Sequence, residues 1–171
     1  MIANLLALND DASLRRLIAQ HQSFDWDELV ATLTDRVRQE VRVNTAQAQR
    51  LADIAIVVSE TVGSRGALAK SLRAKANALY AVDEHSAAIE MHERAAALFE
   101  AVGDHLQLAR TLSGSIQSLL LLGRYDQALA AGDRARAIFL KEGNSWRLAR
   151  LEINIGNIYH RQDRFDEALA C

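Results

Sequence analysis

The apolar positions of the chain follow a helical rhythm that is interrupted at regular points. Leu72, Ala76 and Leu79 recur at three- and four-residue steps, and Ile89, Ala96 and Phe99 continue at steps of seven and three, the spacing of one helix face. The rhythm stops at Gly63, Gly103 and Gly143, where glycine takes the left-handed conformation just past a helix at little steric cost. The residues that follow, Ser64, Asp104 and Asn144, can each accept a hydrogen bond from the first turn of a new helix. A second interruption lies midway, in VDEHSAAI (82–89), LGRYDQAL (122–129) and QDRFDEAL (162–169). There a short polar turn, a bulky residue and a small one suit two antiparallel helices meeting closely at a corner. The spacing predicts A helices over about 64–82, 104–122 and 144–162, and B helices over about 86–102, 126–142 and from 165.

These marks share a forty-residue period. Leu68, Leu108 and Leu148 align, as do Ala69, Ala109 and Ala149, then Lys70, Arg110 and Arg150. His85, Tyr125 and Phe165 align at the corner, followed by Ala88, Ala128 and Ala168. Such self-similarity is the mark of a repeat architecture. Upstream, residues 45–63 keep Ala48, Ala52 and Ala55 in phase with Ala88, His92 and Ala95, which makes them a B helix. Residues 25–42 are the expected A partner, capped by Asp25, and 8–21 a short helix capped by Asp10 or Asp11. The expected organisation is a capping helix in 1–24, a divergent hairpin in 25–63, and units 64–103, 104–143 and 144–171. One helix pair cannot bury its apolar face alone, whereas stacked pairs share a core. The fold expected is an all-α, right-handed superhelical solenoid of antiparallel helix pairs. The last unit stops about two turns into its B helix with no capping signal, which reads as a fragment of a longer protein.

Composition narrows the function classes. The 171 residues are 50% hydrophobic and 25% charged, with net charge −2. A pI near 6.2 gives no global field for a polyanion, so nucleic acid and membrane partners are not expected. Proline is absent and aromatics make up only 5%, which favours helix throughout. Cys171 is the single cysteine, so no internal disulfide can form and a cytoplasmic setting is expected. The run from Ile2 to Leu8 lacks the basic lead of a secretory signal. Histidines at 21, 85, 92, 105 and 160 have no metal-ligand spacing, so neither a metal nor another cofactor is expected. No glycine-rich phosphate loop occurs, and Cys171 has no fixed partner to activate it. The chain reads as non-catalytic. Trp26 and Trp146, just inside helix starts, read as packing anchors.

INIGNIYHRQDRFDEAL (153–169) resembles the tetratricopeptide repeat (TPR): Ile155-Gly156, Tyr159, Phe165 and Ala168 fall where that family places Leu-Gly, Tyr, an aromatic and Ala. Leu119, Gly123, Tyr125 and Ala128 match in the preceding unit, with Ile116 in place of the packing glycine; Ala76, Leu79 and Ala88 match before that, with His85 in place of the aromatic. The forty-residue form is similar to repeats of bacterial multidomain proteins, and the cadence of the whole region to the segment ahead of caspase-like (CHAT) protease domains. The resemblance implies a protein-binding groove lined by the A helices. Carried over, its groove positions are Lys70, Arg110 and Arg150; Arg73, Ser113 and Ile153; Asn77, Gln117 and Asn157; and Tyr80, Leu120, His160 and Arg161. Offsets of three and four place Arg73, Asn77 and Tyr80 on one helical stripe. Amides flanked by cations suit an extended peptide that is acidic or bears a carboxylate. This is similar in part to the carboxylate clamp of chaperone-binding repeats, although Gly114 stands where that clamp has an asparagine. Two structural readings stand beside these: pairing of the cations with a neighbouring helix, and inter-helix hydrogen bonds for the amides. The rival function is a spacer or homodimer, with Ile155, Ile158 and Leu169 forming an uncovered apolar stripe at the C-terminal end.

Overall fold

The computed structural model describes Leu5, residues 10–21 and residues 23–171. Nine helices follow in chain order among them: α1 (Asp11–Gln20), α2 (Trp26–Glu40), α3 (Thr45–Val62), α4 (Arg65–Tyr80), α5 (His85–Ala101), α6 (His105–Leu121), α7 (Tyr125–Lys141), α8 (Ser145–Arg161) and α9 (Phe165–Leu169). From α3 onward each helix packs on its predecessor, α1 packs on α3, and A helices also touch the A helices of adjacent units. The architecture is all-helical, a solenoid of antiparallel helix pairs packed in sequence. Part of the expected capping segment, residues 1–4, 6–9 and 22, lies outside the described residues.

The stops between units work through backbone geometry. Gly63, Gly103 and Gly143 have φ of 76°, 74° and 64°. That turn directs the next amide back into the helix just ended: Ser64 N donates to Ser59 O at 3.1 Å, Asp104 N to Phe99 O at 3.0 Å and Asn144 N to Phe139 O at 2.9 Å. Orphan carbonyls are thereby satisfied. Asp104 and Asn144 also cap the following helices, accepting from Gln107 N at 3.1 Å and Arg147 N at 3.3 Å. Ser64 makes no side-chain cap, contrary to the sequence expectation. Asp10 and Asp25 do cap α1 and α2, accepting from Ser13 N and Glu28 N.

The corner turns repeat one conformation with two residue types. Asp83, Gly123 and Asp163, forty residues apart, have φ of 61°, 69° and 58°. In each, the next amide bonds back: Glu84 N to Leu79 O, Arg124 N to Leu119 O and Arg164 N to Tyr159 O, at 3.1, 2.9 and 3.0 Å.

Packing is continuous along the stack but divides into two clusters that share α4. Trp26, Leu33, Leu51 and Val58 lead the first, to which α4 contributes Ala67, Ala74 and Ala78. Phe99, Ile116, Phe139 and Leu151 lead the second, to which the same helix gives Ala69 and Leu72. At the α3–α4 joint Ser59 Oγ lies 3.0 Å from Ser71 Oγ, and each hydroxyl also bonds a carbonyl of its own helix, so both buried groups are satisfied. Bulky residues pair with small ones across helices. Ile155 fills the space beside Gly132, where an added Cβ would lie 3.0 Å from Ile155 Cδ1. Ile155 and Ile158 are 1% and 0% exposed, so the uncovered stripe expected there is already covered. Leu169 alone of the three, at 86%, is open to solvent.

Candidate functional site

The A helices α4, α6 and α8 border a cavity of about 300 Å³. Arg73 and Asn77 line it from α4, Arg110, Ser113, Gly114 and Gln117 from α6, and Trp146, Arg147, Arg150 and Asn154 from α8. His92 and Phe139 contribute from the B helices α5 and α7. Four of these twelve residues are arginines and none is acidic.

Uncharged groups hold the arginines in place. Gln107 sits in the first turn of α6, so its side chain reaches toward α4. Its Oε1 accepts from Arg73 Nη1 at 2.7 Å and from Arg110 Nη1 at 3.0 Å. The Arg73 guanidinium also lies 5.2 Å from the centre of the Phe99 ring. Arg147 and Arg150 lie 5.4 and 5.0 Å from the centre of the Trp146 ring, where the ring quadrupole attracts cations. Among the described residues none of the four forms an ion pair. Burial, reinforced by the charges of Arg110 and Arg147, pushes the Arg73 pKa down to about 10. Arg147 is lowered too, first by burial and then by Arg110 and Arg150. Asp104, which acts in the opposite direction on Arg73, is engaged as the α6 cap.

His92 forms part of the wall. It is 2% exposed, its Nδ1 has no hydrogen-bond partner among the described residues, and burial with the nearby Arg73 lowers its pKa to about 4. The imidazole is therefore neutral at physiological pH. Gly114 makes room for it: a Cβ there would stand 3.1 Å from His92 Cε1. The glycine that departs from the clamp pattern thus accommodates a neighbouring ring.

The structure brings together Arg73, Asn77, Arg110, Ser113, Gln117 and Arg150 of the thirteen residues expected along the groove. Gln117 Nε2 also donates to Asn154 Oδ1 at 3.1 Å, so an inter-helix bond and a cavity-facing position coexist in one side chain. Lys70, Ile153, Asn157 and Arg161 are exposed but do not line the cavity. Tyr80, Leu120 and His160 also lie outside the cavity lining, near the hairpin corners. The Tyr80 ring lies 5.5 Å from that of His85, and His160 meets Phe165 edge-on at 5.6 Å. Leu120 is only 4% exposed, in the core against which Tyr125 packs. Trp146, expected as a packing anchor, is 62% exposed and serves as a platform for cations, whereas Trp26 is buried and donates to His21 O at 3.1 Å.

Arg147, Asn154 and His92 were not among the expected site residues, yet the forty-residue register carries a signal for each. Arg147 aligns with Gln107 and Asn154 with Gly114, and His92 occupies a position held by Ala52 and Gly132. An outsized polar residue where the repeat is otherwise small marks an exceptional spot.

The model of the tetratricopeptide repeat matches residues 67–141 and again 107–171, together more than half of the chain. The chain belongs to the tetratricopeptide repeat family. No match is found among curated proteins. Among solved structures, this TPR chain is similar to BtubC (BKLC) from P. vanneervenii, with a TM-score of 0.76 and 19% identity over 92% of this chain and 67% of that one. At that identity the likeness is one of fold. TPR regions are in general protein-interaction modules, typically without catalytic activity. Among the described residues no helix is long and apolar enough to cross a membrane.

Proposed function

We propose that this TPR region binds an acidic, extended segment of a partner polypeptide along its A-helix face. One observation carries the reading: four arginines from three A helices converge on one cavity whose lining holds no carboxylate. Crowded like charges raise the free energy of the empty site, and an anionic guest lowers it. Asn77, Ser113, Gln117 and Asn154 border the same cavity and offer donors and acceptors for a peptide backbone. The rival self-association reading loses its main support, since Ile155 and Ile158 are buried within the chain. We further propose a cytoplasmic, multidomain regulatory setting, in keeping with the CHAT-associated cadence of the sequence.

Titration with degenerate peptide pools that are acidic, neutral or basic tests the reading. The acidic pool is expected to bind at least about tenfold tighter than the basic one, with affinity falling as salt rises. Equal affinity for both pools, or none for either, overturns it.

A further inference from the structure

The composition of the cavity favours one kind of anion within the class just proposed, and the inference rests on that reading. We propose that the cavity between α4, α6 and α8 is a phosphate pocket, which receives the phosphorylated side chain of a serine, threonine or tyrosine in the bound segment.

The first argument is charge. Arg73, Arg110, Arg147 and Arg150 place four guanidiniums around about 300 Å³. A carboxylate supplies one negative charge and two oxygens, and leaves most of these donors unused. A phosphate monoester carries about −1.5 to −2 at neutral pH and presents three acceptor oxygens. Planar guanidinium forks match such oxygens in pairs.

The second argument is preorganisation. Each arginine is fixed by a partner that leaves its charge intact: the amide oxygen of Gln107 for Arg73 and Arg110, the Trp146 ring for Arg147 and Arg150. Holding flexible cations in place beforehand removes much of the ordering cost of binding. A glutamate at 107 would hold the same two arginines and halve their charge; the chain has glutamine.

The third is His92. This buried ring lines the cavity while its Nδ1 lacks a partner among the described residues. Closed to solvent at Nδ1 and neutral at physiological pH, the ring walls the cavity and leaves its positive charge to the arginines.

A peptide-borne phosphate fits better than a free anion because the polar lining extends past the arginines. Asn77 on α4 and Asn154 on α8 lie on opposite sides of α6, along the direction an extended chain would take.

The test uses three fluorescent peptide pools with degenerate flanks and a fixed central phosphoserine, glutamate or serine, with inorganic phosphate as competitor. The phosphoserine pool is expected to bind at least about tenfold tighter than the glutamate pool, with inorganic phosphate competing only weakly. Arg110→Ala and Arg147→Ala should each remove most of that difference, while Arg134→Ala, outside the cavity, leaves it intact. Gln107→Glu guards against misfolded variants: it nearly preserves shape, so loss of the phosphoserine preference with an unchanged helical circular dichroism signal supports the pocket. Equal binding of the phosphoserine and glutamate pools overturns the phosphate pocket and leaves the acidic-segment reading standing. Binding of neither pool overturns both. Inorganic phosphate competing as well as the phosphoserine pool overturns the peptide-borne guest, as does a preference that survives both arginine variants.

Discussion

Arginine serves two opposite purposes in neighbouring parts of this molecule. On α7, Arg136 grips Glu152 of α8 with two bonds of 2.7 Å and also pairs with Asp133, while Arg134 reaches Glu100 of α5 at 3.0 Å. The hydrogen bonds to Glu152 raise the Arg136 pKa above its ordinary value. Around the cavity, burial and like charges lower that of Arg73 instead. The first set joins helices and favours the folded chain through its charge. The second set is stabilised by its stacking and amide contacts but opposed by its mutual repulsion. A residue type alone therefore does not announce a binding site; the absence of counter-charge around it does.

The largest expected effect tests whether the cavity side resists further positive charge. His92 titrates at about 4 in the fold against 6.5 when unperturbed. Between those values the unfolded chain takes up the proton first, so the stability that depends on neutral His92 is lost as pH drops from about 6.5 to about 4, and this contribution changes no further below. At about 1.4 kcal/mol per pH unit the interval amounts to on the order of 3 kcal/mol. Urea unfolding across pH 7 to 4 measures it, and His92→Leu should flatten the profile by that amount. A variant with the same acid sensitivity as the parent would place the charge penalty elsewhere.

Next in size is the paired side. Arg136→Ala leaves Glu152, only 21% exposed at its side chain, without its forked partner and opens the α7–α8 joint. A loss of about 1–2 kcal/mol is expected, after allowance for partial solvent screening. A change below a few tenths would show the pair to be a surface contact of little weight and blunt the contrast with the cavity.

The fold was legible in the sequence because it depends on local, repeated signals. Gly103 and Asp104 act within their own turn, so the helix boundaries followed from them to within one or two residues. The site depends on how neighbouring units come together. Gln107 grips Arg73 from thirty-four residues away, a contact no periodicity displays. Tyr80, Leu120 and His160 were carried over from the family pattern, which does not show where a helix reaches its corner and packs on the next, and they do not line the cavity. Trp146 looked like a core residue by type. Its exposure arises because the side chain stands at the head of α8, with cations stacked on its ring rather than a neighbouring helix.

A smaller effect sharpens the comparison by converting one kind of site into the other. Gln107→Glu gives Arg73 and Arg110 the carboxylate that Arg136 already has. It also places an acid in the first turn of α6, three residues beyond the Asp104 cap, where the helix dipole favours it. Thermal unfolding should show a gain of about 0.5–1 kcal/mol, together with weaker binding of acidic peptide. A gain in stability with no loss of binding would mean that the arginines do not act through their charge.

The smallest effect is expected where a surface-counting view would predict a loss. Arg110→Ala removes the 3.0 Å bond to Gln107 Oε1, worth roughly 1 kcal/mol at most in a partly exposed place. It also removes the largest of the charges that lower the Arg73 pKa, and one acting on Arg147. The two contributions oppose each other, so stability should change by less than about 0.5 kcal/mol. Salt separates them. Added chloride screens the repulsion in the parent and should raise its stability, whereas Arg110→Ala, with less repulsion to screen, should respond less. Arg136→Ala should show the reverse tendency, because salt weakens the attraction that the parent retains there. Parallel salt curves for the two variants would mean that the two sets of arginines do not differ in the way their geometry indicates.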